Sequence, residues 1–424
     1  MGLRTWGRRG AAAALVVAGT GLLGAGPASA GLVGDRNCSD FPYQEDAQAW
    51  MDTRPGDPDG LDADGDGLAC ESLPHRPGTP VPAPAPTPVP DCLWGAIEER
   101  YAGTGGAGGS LGEVVQCQTP TPVVAGEYAH FQGGSIHSSE RTGAQFTRGA
   151  IRDRWASTGW ENGRLGFPTT SDTPTPNGRG WYTHFQGGSM YWSPATGAHF
   201  TAGAIRGEWA SHGWENGRLG FPTTNDTPTP DGRGWYTHFQ GGSVYWSPAT
   251  GAHFTAGAIR GEWASHGWEN GRLGFPATDD TPTPNGRGWY THFQGGSVYW
   301  SPATDAHFTA GAIRGAWASH GWENGRLGVP ATDDTPTPNG RGWYTHFQGG
   351  SVYWSPSTGA HTVAGAVRDA WAQQGWENGP LGFPVEDEHE GEQGRAVQQF
   401  QGGYITHDPA GGTRTTLAEW VPDE

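Results

Sequence analysis

The 424-residue sequence contains no lysine: all 25 basic residues are arginine, set against 43 acidic ones, for a net charge of −18. So acidic a chain repels polyanions, and nucleic acid is excluded as an expected partner. Cysteine is scarce, four residues in all, with no C-x-x-C spacing to suggest zinc. No long apolar run follows residue 30, so no membrane span is expected. Catalytic signatures are missing too. The chain has no Gly-x-Ser-x-Gly elbow, no His-Glu-x-x-His and no isolated Cys/His arrangement, and no enzyme is expected.

Glycine (73), proline (34) and tryptophan (22) are abundant, and their placement organises the chain. Residues 1–30 read as an export signal. Arg4, Arg8 and Arg9 precede an apolar run from Ala11 to Leu23, and Ala28-Ser29-Ala30 forms a small-residue cleavage site. The expected mature chain is secreted and extracellular, with a net charge near −21 once three arginines leave with the signal. An even cysteine count in an exported chain reads as disulfides. Three pairings are possible; the local one, Cys38 with Cys70 and Cys92 with Cys117, fits the domain boundaries.

Residues 35–73 form a compact acidic segment, and residues 74–91 a proline-rich, semi-rigid spacer. In the acidic segment Asp62, Asp64 and Asp66 alternate ahead of Gly67. That spacing lets a tight loop aim three carboxylates at one hard cation, with the glycine permitting the sharp turn. The Leu68 carbonyl can add a ligand and Glu71 the last carboxylate, so calcium is the expected ion.

Everything after the spacer is periodic. Gly-Trp-Glu-Asn-Gly begins at Gly213, Gly267, Gly321 and Gly375, and again at Gly159, a period of 54 residues. Leu-Gly-Phe-Pro begins at Leu165, Leu219, Leu273 and Leu381, with Val329 replacing Phe after Leu327. Phe-Gln-Gly-Gly begins at Phe131, Phe185, Phe239, Phe293, Phe347 and Phe400. Counting back 54 residues from Ile151, Trp155 and Leu165 reaches Ile97, Tyr101 and Leu111, so a degenerate first unit starts near Cys92. Six units thus span residues 92–408, followed by a tail, residues 409–424. A disulfide in the first unit would offset its lost apolar packing.

Within a unit, Thr201 reads as an N-cap, and Ala202, Ile205 and Trp209 share one helical face until Gly213. Leu219 to Pro222 is a rigid turn. Strands Trp235–Gln240 and Ser243–Trp246 flank Gly241-Gly242 as a two-residue hairpin turn, pairing His238 with Tyr245. Alternation puts Trp235, Phe239, Val244 and Trp246 on a core face, and Tyr236, His238, Gln240, Ser243 and Tyr245 on the other. The second face suits a sugar, which stacks on aromatic rings and hydrogen-bonds through its hydroxyls. The candidate ligand contacts are Tyr182, His184 and Tyr191; Tyr236, His238 and Tyr245; Tyr290, His292 and Tyr299; and Tyr344, His346 and Tyr353. The competing reading buries both faces between neighbouring units. Because the histidines recur in identical contexts, they read as structural rather than catalytic or metal-binding.

Two family resemblances rest on these motifs. Asn37-Cys38-Ser39-Asp40-Phe41 together with the unbroken D-x-D-x-D-G-x-x-C-E string from Asp62 to Glu71 resembles the excalibur calcium-binding domain. That resemblance implies Asp62, Asp64, Asp66 and Glu71 as calcium ligands. Residues 92–408 resemble tandem LGFP repeats of actinobacterial envelope proteins. This implies anchoring to cell-wall polysaccharide, arabinogalactan first and peptidoglycan second, with other surface proteins as alternative partners. The expected architecture is an α+β array of six helix–turn–β-hairpin units, closed in a ring or propeller-like arrangement. A small disulfide- and calcium-binding domain precedes it.

Overall fold

A computed structural model describes residues 36–54, 57–63, 67–77, 90–391 and 394–418. The export signal, most of the spacer, Asp64 and Asp66, and the end of the tail lie outside the described residues. The chain forms two compact units, Met1–Pro86 and Thr87–Glu424.

Among the described residues the smaller unit has a 3-10 turn, Cys38–Asp40, one α-helix, Gln44–Met51, and a core of Phe41, Ala47, Leu61, Ala69 and Cys70. So few apolar residues bury too little surface to hold a fold alone. The Cys38–Cys70 disulfide and a side-chain clamp supply the rest: Gln48 Oε1 accepts from the Ala69 amide, and its Nε2 donates to the Gly67 carbonyl. The second disulfide joins Cys92 to Cys117, so the local pairing holds.

The larger unit contains six four-stranded antiparallel meanders, each preceded by a short helix. The third sheet comprises Thr227–Pro228, Trp235–Phe239, Gly242–Ser247 and Gly251–Thr255. The expected hairpin is therefore only the middle of a larger sheet. Its third major strand was hidden by a tight turn in which Ser247 Oγ meets Thr250 Oγ1 at 2.8 Å and Gly251 takes φ +85°.

Two local expectations are corrected. Phe239 pairs with Gly242, His238 with Ser243 and Tyr236 with Tyr245, so the turn residues are Gln240-Gly241, not Gly241-Gly242. Turn amides bond to the preceding Leu-Gly-Phe segment, Gln240 N to Phe221 O and Gly241 N to Leu219 O, which fixes that register. A Cβ on Gly241 would lie 2.1 Å from the Arg218 carbonyl, so this glycine serves close approach. The shift is two residues in pairing, so each side chain keeps its predicted face. Thr201 is not the N-cap. The helix runs Gly203–Ser211 with Ala202 at the cap, and its amide is held by Asp226 Oδ2 at 2.8 Å. A carboxylate from the next loop does the capping, at the end where the helix dipole favours negative charge.

Each internal helix is wedged between two sheets. The helix Gly257–Ser265 presents Ile259 and Trp263, and Trp263 is fully buried. On one side Trp263 meets Tyr245 of the third sheet edge-on, ring centroids 4.6 Å apart. On the other it meets Phe293 of the fourth sheet at 5.3 Å, and its indole N–H donates to the Gly274 carbonyl. Leu273, Phe275, Val298 and Phe308 complete this core. Both faces of an internal sheet thus pack against helices, one from its own unit and one from the next.

A polar tie accompanies the apolar one. Arg260 Nε donates to Ser243 Oγ at 2.6 Å, and Ser243 Oγ lies 2.7 Å from His238 Nδ1. The same bond links Arg152 to Ser135, Arg206 to Ser189, Arg314 to Ser297 and Arg368 to Ser351. At the two ends it vanishes. Glu98 occupies the arginine position in the first helix, Gly95–Ala102, and is exposed. Tyr404 occupies the serine position in the sixth sheet and is 43% exposed, beside exposed Gln399, Arg414 and Thr416. These substitutions suit terminal units that face water. No closed ring or barrel forms among the described residues, and the expected closure is not observed.

Truncating the wedge should be costly. Trp263→Ala is expected to lower unfolding stability by roughly 3–5 kcal/mol, whereas Trp94→Ala, at an exposed position, should change it by less than about 0.5 kcal/mol. Urea unfolding of the two variants checks the contrast.

Candidate ligand-binding site

The two faces of each sheet differ in what they leave open. On the tyrosine face, Tyr191, Tyr245, Tyr299 and Tyr353 are buried, each edge-on to a helix tryptophan. Burial, reinforced by a nearby glutamate such as Glu269 beside Tyr245, pushes these phenols far up. Tyr182, Tyr236, Tyr290 and Tyr344 stack on them at 5.2–5.3 Å and stay half-buried. A buried ring has no free face for a sugar, so the second tyrosine of each trio serves packing.

The histidines of the trios are half-buried. Ser243 Oγ accepts from Arg260 and lies 2.7 Å from His238 Nδ1. Burial, then the arginine charge, lowers His238 and His346 to about 4, and shifts His184 and His292 in the same direction. The first unit has its own version, Tyr128, His130 and His137, which the sequence reading passed over. His137 takes the place of the buried tyrosine, and burial lowers it to about 3.

A strained tryptophan closes this region. Trp160, Trp214, Trp268, Trp322 and Trp376 each follow a left-handed glycine and take φ near +54° themselves. A bulky residue held there costs about 1–3 kcal/mol and persists only when the surroundings impose it. Here the return is stacking: Trp268 lies parallel to Tyr245 at 6.0 Å, with Arg260 Cζ 5.0 Å from its ring centroid. The glycine three residues after this tryptophan is obligatory, since a Cβ on Gly271 would sit 1.7 Å from the His266 carbonyl.

The open aromatics are on the opposite face, the one expected to be core. Trp343 pairs across the strands with Trp354, and both remain half-buried. They line a 460 Å³ cavity with Arg272, Asp334 and the helix N-terminus at Gly311 to Ile313. A second cavity, 370 Å³, is built from Trp181, Trp192, Arg148, Asp172 and Gly149 to Ile151. Both volumes fall in the usual range of small-ligand sites, roughly 300–1,000 Å³.

An arginine caps one indole in every such pair. Arg164 lies 4.4 Å from the Trp235 ring centroid, Arg218 4.7 Å from Trp289 and Arg272 4.8 Å from Trp343. In the first pocket Ser110 stands at that sequence position, and Arg148 reaches Trp181 at 5.3 Å instead. The carboxylate beneath is committed to the fold. Asp226 accepts from Thr237, the Ala202 amide and Arg164, yet burial dominates and raises it, like Asp172, to about 6. Indole rings and a guanidinium are therefore what the pocket offers a visitor. Sequence alternation put these tryptophans on one shared face but read that face as core; the arginines, distant in the chain, had no sequence signal.

The expected calcium residues lie in the smaller unit. Asp62 Oδ2 accepts from the Gly67 amide at 2.9 Å, and Gly67 takes φ +91°. Leu68 and Glu71 both have interactions of their own, and Asp64 and Asp66 lie outside the described residues.

Comparison with known proteins gives one family. A family model described as the LGFP repeat matches residues 111–163, 165–217, 219–271, 273–325, 327–379 and 381–419. No curated protein matches the chain. Among solved structures, a virginiamycin B lyase from Staphylococcus aureus is 6% identical, covering 72% of this chain and 84% of its own, at a TM-score of 0.11. A streptogramin B lyase is also 6% identical, over 73% of this chain and 87% of its own, at 0.11. PorZ, a surface component of the type-IX secretion system of Porphyromonas gingivalis, is 10% identical over 72% of this chain and 38% of its own, at 0.12. Scores of this size carry no inference about fold or activity.

The depressed histidines set a pH window. A base whose folded value is lowered contributes stability that is complete above its unfolded value near 6.5 and drains as pH falls toward about 4. The stability difference between wild type and His238→Gln/His346→Gln should therefore narrow as pH falls through that range, measured by urea unfolding at stepped pH.

Proposed function

The chain belongs to the LGFP repeat family, and from that premise we propose that it is an exported, non-catalytic envelope protein that binds cell-wall glycan through its repeats. The observation that carries this reading is the repeated indole–guanidinium pocket, present on several units of one frame. Half-open indoles suit the apolar face of a sugar ring, and the guanidinium suits its hydroxyls. Weak identical sites on one scaffold gain affinity together on a polymer, because each binding event raises the effective concentration for the next. Arabinogalactan is the first candidate polymer, as the resemblance implies, and peptidoglycan the second.

The smaller unit serves in this reading as a calcium-stabilised module. The left-handed Gly67 and the Asp62–Gly67 bond fit a tight cation loop, and the Cys38–Cys70 bridge pins its far end. Asp62, Asp64, Asp66, the Leu68 carbonyl and Glu71 would hold the ion, whose contribution is structural.

Sedimentation with purified arabinogalactan, and separately with peptidoglycan, tests the glycan reading. Retention of the mature chain is expected on one of them. Combining Trp181→Ala, Trp192→Ala, Trp343→Ala and Trp354→Ala should weaken it by roughly 10²-fold in protein that still unfolds cooperatively. No retention on either polymer sinks the proposal. Calcium titration by calorimetry should show one site with a Kd on the order of 10⁻⁴–10⁻³ M, lost in Asp62→Asn/Glu71→Gln.

A further inference from the structure

We propose that two adjacent junctions of the array each hold a divalent transition-metal ion, Zn2+ by the chemistry of the donors. At the end of the helix Gly203–Ser211, Glu208 and His212 lie one turn apart, Glu208 Oε1 2.9 Å from His212 Nε2. Asp279, from the loop entering the fourth sheet, brings Oδ2 to 3.3 Å from the same nitrogen. The next junction repeats this: Glu262 Oε1 is 2.8 Å and Asp333 Oδ2 3.3 Å from His266 Nε2. In each group the three donor atoms lie within 4.8 Å of one another, and all three residues are half-buried. Ligands at about 2.0–2.2 Å from one Zn2+ are separated by distances of this order, and an imidazole with two carboxylates leaves a fourth position for water.

A second histidine orients each group. His253 Nδ1 lies 3.0 Å from Asp279 Oδ1, the oxygen turned away from the cluster, while its Nε2 donates to the Thr250 carbonyl. His307 holds Asp333 in the same way, at 2.9 Å, with the Thr304 carbonyl behind it. Carboxylates that ligate a metal are themselves held by hydrogen bonds from outer groups, the part each of these histidines plays here.

The chain contains its own controls. At the corresponding places the preceding junction has Arg154, Thr158, His199 and Asn225, and the following one has Ala316, His320, His361 and Asp387. Both fold into the same helix and sheet. The complete set of donors is therefore not what the junction needs in order to form. Residues required only for packing would appear at every junction, as the wedge tryptophan does; the complete Glu–His–Asp set appears at two, while the following junction keeps the pair His320–Asp387 at 3.4 Å with alanine in place of the glutamate. The inference stands apart from the glycan reading, since no residue of the tryptophan pockets takes part.

The test uses the mature, untagged chain, stripped with chelator and saturated with Ca2+, titrated with ZnCl2 by calorimetry and with Co2+ by visible absorption. Two equivalents of Zn2+ are expected. Replacing His212 and His266 by the residue found at the empty junction, His212→Thr and His266→Thr, should remove one equivalent each from protein that still unfolds cooperatively when metal-free. Asp279→Asn should remove one by itself. The proposal is overturned by absence of saturable binding up to millimolar Zn2+, or by a stoichiometry that survives the paired threonine variant.

Discussion

The structure depends on one contact repeated along the array, a tryptophan on a nine-residue helix caught between two sheets. Nine residues are too few for a helix to persist alone in water. A four-stranded sheet with apolar groups on both faces is no better off. Trp263 joins the two, touching Tyr245 behind and Phe293 ahead, and each unit completes its core only when its neighbour is in place. Arg260 and Ser243 add orientation, because a guanidinium donor directed at one hydroxyl tolerates little sliding of helix against sheet.

The terminal substitutions follow from the same contact. Glu98 and Tyr404 stand where an internal unit has the arginine and the serine, and each is exposed. Among the described residues of the array no sheet precedes the first helix, which keeps a smaller aromatic, Tyr101, stacked on Phe131 at 4.6 Å. The Cys92–Cys117 bridge then ties the strand of that sheet to the chain ahead of the helix. Packing lost at an end is compensated by a covalent link there.

Much of this was legible in the sequence, and the failures have physical reasons. The period, the count of six units, the helix face of Ile205 and Trp209 and its end at Gly213 all follow from spacing, while the disulfide pairing is the local one of the three that the sequence allowed. The assignment of faces also survives, because pleat parity is insensitive to a two-residue change of register. What spacing did not carry was context supplied by another unit. The cap on the helix comes from Asp226, well downstream, and the guanidinium on Trp235 comes from Arg164, in an earlier unit. The tyrosine face looked like surface because its burial depends on the following helix. Likewise Glu208, His212, His253 and Asp279 are too far apart in the chain to register as a motif until the junction folds.

The helices Gly203–Ser211 and Gly257–Ser265 have the same sequence, GAIRGEWAS. Junction chemistry therefore specifies which surfaces fit but gives no address telling one copy from the next. Correct order is kept by the covalent connections, which let the nearest helix arrive before a more distant twin. Between two chains that advantage disappears, and a helix from one molecule can occupy a wedge in another with every contact intact. Crowded refolding of this array is thus a race between tethered and untethered copies of the same key.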